Sequence, residues 1–328
     1  MFEPWSGEGP EPIGFLLVPE FSMMAFMAAI EPLRVANRLA GQSLFTWHAV
    51  SIDGEPVTAS NGMAMVSEAR LDDPPSLSAL IVCASFNPQK AETKALLGAL
   101  RKIARKGLPL GALDTGTHIL AKAGLIEHER VTMHWEAVPA FREEFPLIDV
   151  SDELFEISPT RFTCAGGTAA LDMMLHMIGM KHGHALAVAV SEQFIHDRIR
   201  DRGTHQRMQM ANRIGVTNQK LIRIIEAMES HLEVPLDSDE LSGLAGVSSR
   251  QLERLFKTYV KDTPSGYYLK LRLTRARHLL RQTDLSVMDI ALATGFSSAS
   301  SLSRAYRGRY GHSPRQDRVE PRVMGVKI

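Results

Sequence analysis

Apolar residues in the first two thirds of the chain come in short unbroken runs separated by longer stretches of helical period. The run IGFLLVP, Ile13 to Pro19, is apolar throughout and closed by proline, as a strand buried on both faces of a parallel sheet would be. A helix is predicted after it, with Ser22 as N-cap. The alternation recurs in LFTWHAVSI (44–52), LSALIVCAS (77–85), a helical stretch from Gln89 to Lys106, and LPLGAL (108–113) leading into THILAKAGLI. Further strands are predicted near Val131 to Met133, Glu153 to Ile157 and Arg161 to Cys164, with another helix after Gly166-Gly167 through Met180. Strands alternating with helices predict a doubly wound α/β domain with a mostly parallel sheet over residues 13–190.

Beyond Ser191 the period is helical throughout. Residues 191–216 read as a helical linker with a hinge or loop at Asp201-Arg202-Gly203-Thr204, and the all-α remainder over 217–318 contains an internal repeat. Leu252, Phe256, Val260 and Pro264 fall on Leu302, Tyr306, Tyr310 and Pro314, while Leu241, Gly246 and Val247 fall on Ile290, Gly295 and Phe296 with one residue of slippage. Each copy reads helix, tight turn, helix: Asp239 to Ala245 then Ser249 to Tyr259, and a helix capped by Ser286 through Thr294 then Ser298 or Ala299 to Arg309. Gly246 and Gly295 supply the positive φ of the turn, and Val247 and Phe296 plug each helix pair. The helix Pro264 to Gln282 would fix the two second helices in one orientation.

Charge sharpens this division. Lys+Arg and Asp+Glu are both 37, but residues 241–318 carry 14 basic against 5 acidic side chains, and residues 1–240 carry 21 against 31. A basic C-terminal module for a polyanion joined to an acidic module with another task is the expectation. With 45% hydrophobic and 23% charged residues the chain is globular, and 328 residues imply two domains. Only Cys83 and Cys164 are present, which excludes a disulfide framework and an all-cysteine zinc site and suits a cytoplasmic location. Met1 to Pro12 reads as an acidic tail, without the basic region of a signal peptide, and 319–328 as a second tail. No apolar run reaches the ~18 residues of a membrane span.

A helix that enters a major groove shows short polar and basic side chains on its outer face. Ser249, Arg250, Gln251, Arg254 and Lys257 occupy that face in the first copy, and Ser298, Ser300, Ser301, Ser303, Arg304 and Arg307 in the second. Arg250, Gln251 and Arg304 are the candidate base readers; Lys257, Arg307 and the serines are assigned to phosphates. The partner is double-stranded promoter DNA, with one chain reading adjacent major-groove segments about 10 bp apart. The segments GVSSRQLERLF and IALATGFSSASSLSRAYRGRYGHSP closely resemble the two helix-turn-helix units of AraC/XylS-type bacterial transcriptional regulators, over roughly residues 217–318. Leu302 and Tyr306 depart from that pattern, in which phenylalanine is common at both places.

The N-terminal 190 residues resemble the PfpI/glutamine-amidotransferase-like fold, and the combination resembles the amidase-like group of AraC regulators. Enzymes of that fold place a cysteine on a strained turn between strand and helix. In LGALDTGTHILAKAGL the position is taken by Asp114 and followed by Thr115, so the thioester of amide transfer cannot form. No catalytic residue, cofactor or metal is expected. Cys83 and Cys164 read as buried structural thiols, and His48, His176, His182 and His184 as surface or packing residues. The segment Met133-His134-Trp135-Glu136 resembles the His-Trp element of these regulators near the pocket. Carboxylates beside an aromatic face suit an organic cation, with Asp114 and Glu136 as charge partners, Trp135 as a face, and Thr115 and His134 as hydrogen-bonding groups. An aspartate at the elbow resembles regulators of arginine, carnitine or glycine betaine catabolism. The resemblance implies an effector-responsive activator, a homodimer through the α/β domain, and contact with RNA polymerase. The competing functions are an amidase or protease-like hydrolase carrying a DNA-binding tail, and a non-specific architectural DNA binder.

Overall fold

The computed structural model describes residues 5–207, 210–283 and 285–319, in two compact units, the first through Gln206 and the second from Arg207. The first unit contains β1 (Glu11–Leu17), α1 (Met23–Ala40), β2 (Phe45–Ser51), β3 (Val57–Thr58), β4 (Ala64–Met65), β5 (Ala69–Arg70), β6 (Ala79–Cys83), α2 (Lys94–Arg105), β7 (Leu110–Leu113) and α3 (Gly116–Lys122). It continues with β8 (Val131–Thr132), α4 (Val138–Glu144), β9 (Val150–Ser151), β10 (Phe155–Ile157), β11 (Arg161–Cys164), α5 (Ala169–His182) and α6 (His184–Gln193).

Seven strands form one sheet in the order β10-β11-β7-β6-β1-β2-β5, parallel at every junction except β10 with β11. The continuous apolar runs are explained by the two cores they separate. In β1 and β6, Ile13, Phe15, Ala79 and Ile81 face the core shared with α1, α5 and α6, while Leu16, Leu80 and Val82 face that of α2, α3 and α4. Ser22 caps α1 as expected, accepting from the amide of Ala25. Met173 and Met174 fill the first core, whereas Met24 is exposed.

Three expectations change. The tail over residues 1–12 ends sooner: Glu11 and Pro12 belong to β1, and Glu11 is buried in an ion pair with Lys181 at 2.5 Å. The helix expected from Gln89 divides into a 3-10 turn at Pro88–Ala91 and α2, which Thr93 caps. The linker expected over 191–216 is a linker only in part. Residues through Gln206 fold back on the first unit, because Asp172 of α5 accepts from His196 and Arg200 and the Gln206 side chain docks beside β8. The tail expected over 319–328 lies, beyond Val319, outside the described residues.

The second unit is helical: α7 (Met210–Ile214), α8 (Gln219–Ser230), α9 (Ser238–Leu244), α10 (Ser249–Tyr259), α11 (Pro264–Gln282), α12 (Val287–Ala293), α13 (Ala299–Tyr310) and α14 (Pro314–Val319). The repeat is physical. Leu252 and Leu302 are fully buried, as are Phe256 and Tyr306, and Pro264 and Pro314 open the helices that follow. Gly246 and Gly295 take φ of 59° and 72° in the two turns. Tyr306 uses the hydroxyl that phenylalanine lacks: it donates to Asp317 at 2.5 Å, and Arg277 and Arg281 hold the same carboxylate. Those arginines and the tyrosine outweigh burial and keep the Asp317 carboxyl well below its ordinary range.

Candidate functional site

Strand β7 ends at Leu113 and α3 begins at Gly116, so the chain turns from sheet to helix within two residues. Asp114 makes the turn at φ 59°, left-handed for a residue with a side chain, while its amide donates to the Cys164 carbonyl at 2.9 Å. Two glycines let the elbow close. A Cβ on Gly116 would stand 2.3 Å from the Val82 carbonyl oxygen, and one on Gly166 would stand 2.8 Å from the Asp114 Cβ. The Thr115 hydroxyl, expected to meet a ligand, instead donates to the Ser85 carbonyl at 2.5 Å and so fixes the loop after β6.

Asp114 is 7% exposed, and burial pushes its carboxyl up to about 7. A hydrogen bond with Ser85 and the Thr115 amide act against that rise, and the Glu136 carboxylate adds to it. Asp114 and Glu136 therefore sense one another's charge although 22 positions apart. Trp135 and His134 are half-buried between β8 and α4, their rings 5.5 Å apart, and the Trp135 amide donates to the Gln206 side chain at 2.8 Å. The elbow and the His-Trp-Glu segment are the candidate ligand site, linked by the effect of Glu136 on the Asp114 carboxyl.

Neither thiol can replace the missing nucleophile. Cys83 and Cys164 are both buried, and burial raises both thiols, Cys164 to about 12. His182 lies edge-on to Phe45, His176 lies against Phe155, and His48 meets Glu68 at 3.2 Å. Among the described residues no group of three His, Cys, Asp or Glu side chains could hold a metal ion. Sequence reasoning missed His118, which α3 carries one turn beyond the elbow. It is buried between Glu92 at 2.6 Å and Glu144 at 2.9 Å. Burial alone would lower its pKa, but the two carboxylates override that and raise it to about 9.

In the second unit Arg250, Gln251, Arg254 and Lys257 are exposed along α10, and Ser300, Arg304 and Arg307 along α13. Several of the predicted contacts also serve the helices themselves. The Gln251 side-chain Oε1 accepts from the Ser248 amide at 2.9 Å, so the base contact expected of this residue falls to its NH2 group. Ser298 and Ser301 form a reciprocal cap at the start of α13, so their primary task is to hold that helix end. Ser249 is exposed within 3.4 Å of Asp239, and Ser303 is half-buried. The turn before α13 is braced by Arg272, which donates to the Thr294 and Gly295 carbonyls and lies 4.2 Å from the Phe296 ring centre.

Fold and elbow together define a DJ-1/PfpI-type α/β domain with aspartate at the nucleophile position, followed by a tandem helix-turn-helix unit. The DJ-1/PfpI family matches residues 13–180, and a helix-turn-helix domain matches residues 241–319. The HTH-type transcriptional regulator CdhR of Pseudomonas aeruginosa is 53% identical over 305 residues, 93% of this chain and 90% of that protein. The regulator GbdR of the same species is 44% identical, over 96% of this chain and 86% of that protein. A crystal structure of an AraC family transcriptional regulator from Pseudomonas putida superposes with a TM-score of 0.50 at 27% identity, covering 56% of this chain and all of that one. The chain belongs to the AraC family of DNA-binding transcriptional regulators that carry a DJ-1/PfpI domain; it is a regulator and not an enzyme. No described helix is long and apolar enough to cross a membrane.

Proposed function

We propose that this regulator activates transcription in response to a small cationic or amino-acid-like metabolite held over the Asp114 elbow. Arginine and quaternary amines such as carnitine and glycine betaine are the effectors of this chemistry. The observation that carries the proposal is the buried Asp114 carboxyl, raised to about 7 beside Glu136. A buried carboxyl that resists ionisation gains when a cationic ligand is brought against it, because the ligand's charge favours the ionised form. Asp114 and Glu136 are the charge partners, with Trp135 as the aromatic face and His134 and Thr115 as polar neighbours.

On DNA, Arg250, Gln251 and Arg304 read bases, and Ser249, Arg254, Lys257, Ser298, Ser300, Ser301, Ser303 and Arg307 face phosphates, the serines among them that cap α13 doing so from the helix end. The protein acts as a homodimer through the 13–190 domain, in the cytoplasm, with RNA polymerase as the further partner at the promoter. Residues 191–216 transmit the effector signal, and 217–318 carry the DNA-binding function. The test is a thermal-shift series with L-arginine, L-carnitine, glycine betaine and polyamines, since a ligand of the native state raises the melting temperature by mass action. One compound should stabilise the chain and lose its effect in Asp114→Ala and in Trp135→Ala. Stabilisation that survives both substitutions would move the effector site elsewhere.

A further inference from the structure

The segment between α6 and the second unit is tied both to the turn beside the Asp114 elbow and to the Trp135 segment by side chains that no assigned role uses. Asp172, fully buried on α5, accepts from His196 Nε2 at 2.9 Å, from the Arg200 amide at 2.7 Å, and from Arg200 Nε and Nη2 at 2.9 and 2.6 Å. The same guanidinium donates to the Thr168 hydroxyl at 2.8 Å. Thr168 follows the Gly166-Gly167 turn, whose first glycine packs against the Asp114 Cβ so closely that no side chain would fit. This is the first tie, on the α5 side of the elbow.

The second tie is Gln206, the last residue of the first unit. Its Oε1 accepts from the Trp135 amide at 2.8 Å, and its Nε2 is within 3.0 Å of three acceptors, the Thr132 hydroxyl and the Met133 and Glu153 carbonyls. One side-chain amide thus satisfies the backbone on either side of His134. The main chain joins in: the Gln206 amide donates to the Asp152 carbonyl, and the Leu154 amide points at the Arg202 and Thr204 carbonyls. Residues 200–206 are therefore held at one end by the turn that supports Asp114 and at the other by the strand end that carries Trp135 and Glu136.

We propose that Arg200 and Gln206 form a latch that makes the connector between the two units report the state of the Asp114 pocket. A shift of the Trp135 segment reaches the Gln206 amide directly, because they share a hydrogen bond. A shift of the elbow reaches Arg200 through Gly166 and Thr168. Arg207, the next residue, begins the unit that carries the recognition helices. The latch rests on the sensor function proposed above, so its test is made without any effector.

Hydrogen exchange of the amides at 200–206 is measured in the full-length chain, with the pocket perturbed by Asp114→Asn or Trp135→Ala, each in the wild-type background and with Gln206→Ala. In the wild-type background at least one perturbation should change connector exchange about tenfold, and with Gln206→Ala the same perturbation should change it less than about twofold. Gln206→Glu is the second variant. It keeps the acceptor for the Trp135 amide but sets a carboxylate oxygen against three acceptors, so it should open the connector with the Asp114 and Trp135 side chains unchanged. Circular dichroism of every variant guards against general unfolding. If neither perturbation alters connector exchange in the wild-type background, or both alter it equally in the two backgrounds, the latch is refuted. A failed effector screen with an intact exchange response would sink the sensor function and leave the latch standing.

Discussion

Asp114 has the backbone of a nucleophile elbow and a side chain that cannot do a thiolate's chemistry. Its carboxyl is ordinary in the unfolded chain and raised to about 7 in the fold by burial. The ionised form is thus disfavoured in the native state, and folding loses stability as pH rises through the interval from about 4 to about 7. Asp114→Asn should remove that loss: calorimetry should find the variant more stable than wild type by a few kcal/mol at pH 8 and close to it at pH 4. The converse case is His118, whose pKa is raised to about 9 despite burial by Glu144 and Glu92. Its stabilisation is complete below about pH 6.5 and lost as pH rises through 9, so His118→Gln should destabilise at pH 6 and matter much less at pH 10. Ile195 is a simpler strain. It sits at φ 53° and is 95% exposed, so the left-handed backbone is not offset by burial. Ile195→Gly should stabilise by about 1 kcal/mol in denaturant titration, the cost of that conformation to a β-branched residue less glycine's added chain entropy.

At the scale of elements, the helix-turn-helix pair was legible in the sequence because every signal in it is local. Ser286 caps its helix from the position its hydroxyl predicts, and the fifty-residue repeat aligned residues that the fold buries alike, whereas the caps made by Ser248 and Ser298 were not foreseen. The parallel sheet was legible for a related reason, since unbroken apolar runs require a core on each face. What escaped were partnerships between distant residues: Glu11 with Lys181, His118 with Glu92 and Glu144, Asp172 with Arg200, and Gln206 with the Trp135 amide. Separations of 26 to 170 positions leave no periodic trace, and a polar side chain in such a pair looks like any solvated one. The two-residue strands β3, β4, β5 and β9 escaped as well, whereas β8, equally short, was found near Val131 to Met133. For the recognition helices the local logic yields a direct test. Arg250→Ala and Arg304→Ala should each cost about 1–3 kcal/mol on the cognate site and little on random DNA, as read by fluorescence anisotropy. Equal losses on both DNAs would reassign the residue to a phosphate.

For the whole molecule, the balance of 37 basic and 37 acidic residues conceals a chain whose C-terminal module is basic and whose N-terminal module is acidic. Net charge of zero would suggest indifference to polyanions, yet Arg250, Arg254 and Lys257 on α10 and Arg304 and Arg307 on α13 are exposed cations on the faces proposed to meet DNA. Binding should follow this local charge and not the total. Each phosphate neutralised by Arg or Lys releases counterions, so the affinity for any duplex should fall with salt at a log–log slope of about −0.9 per contact. If Arg254, Lys257 and Arg307 contact phosphates as proposed, that slope is about −3 for each bound chain. Replacing all three with glutamine should flatten it on promoter and random DNA alike. The Arg250 and Arg304 variants should instead leave the random-DNA slope nearly unchanged while narrowing the gap between the two DNAs. A regulator that reads a site must show that gap at moderate salt, where electrostatic binding has faded and base contacts persist. An architectural binder would show parallel lines that never separate, and filter binding from about 50 to about 300 mM salt, roughly the range over which counterion release dominates, distinguishes the two.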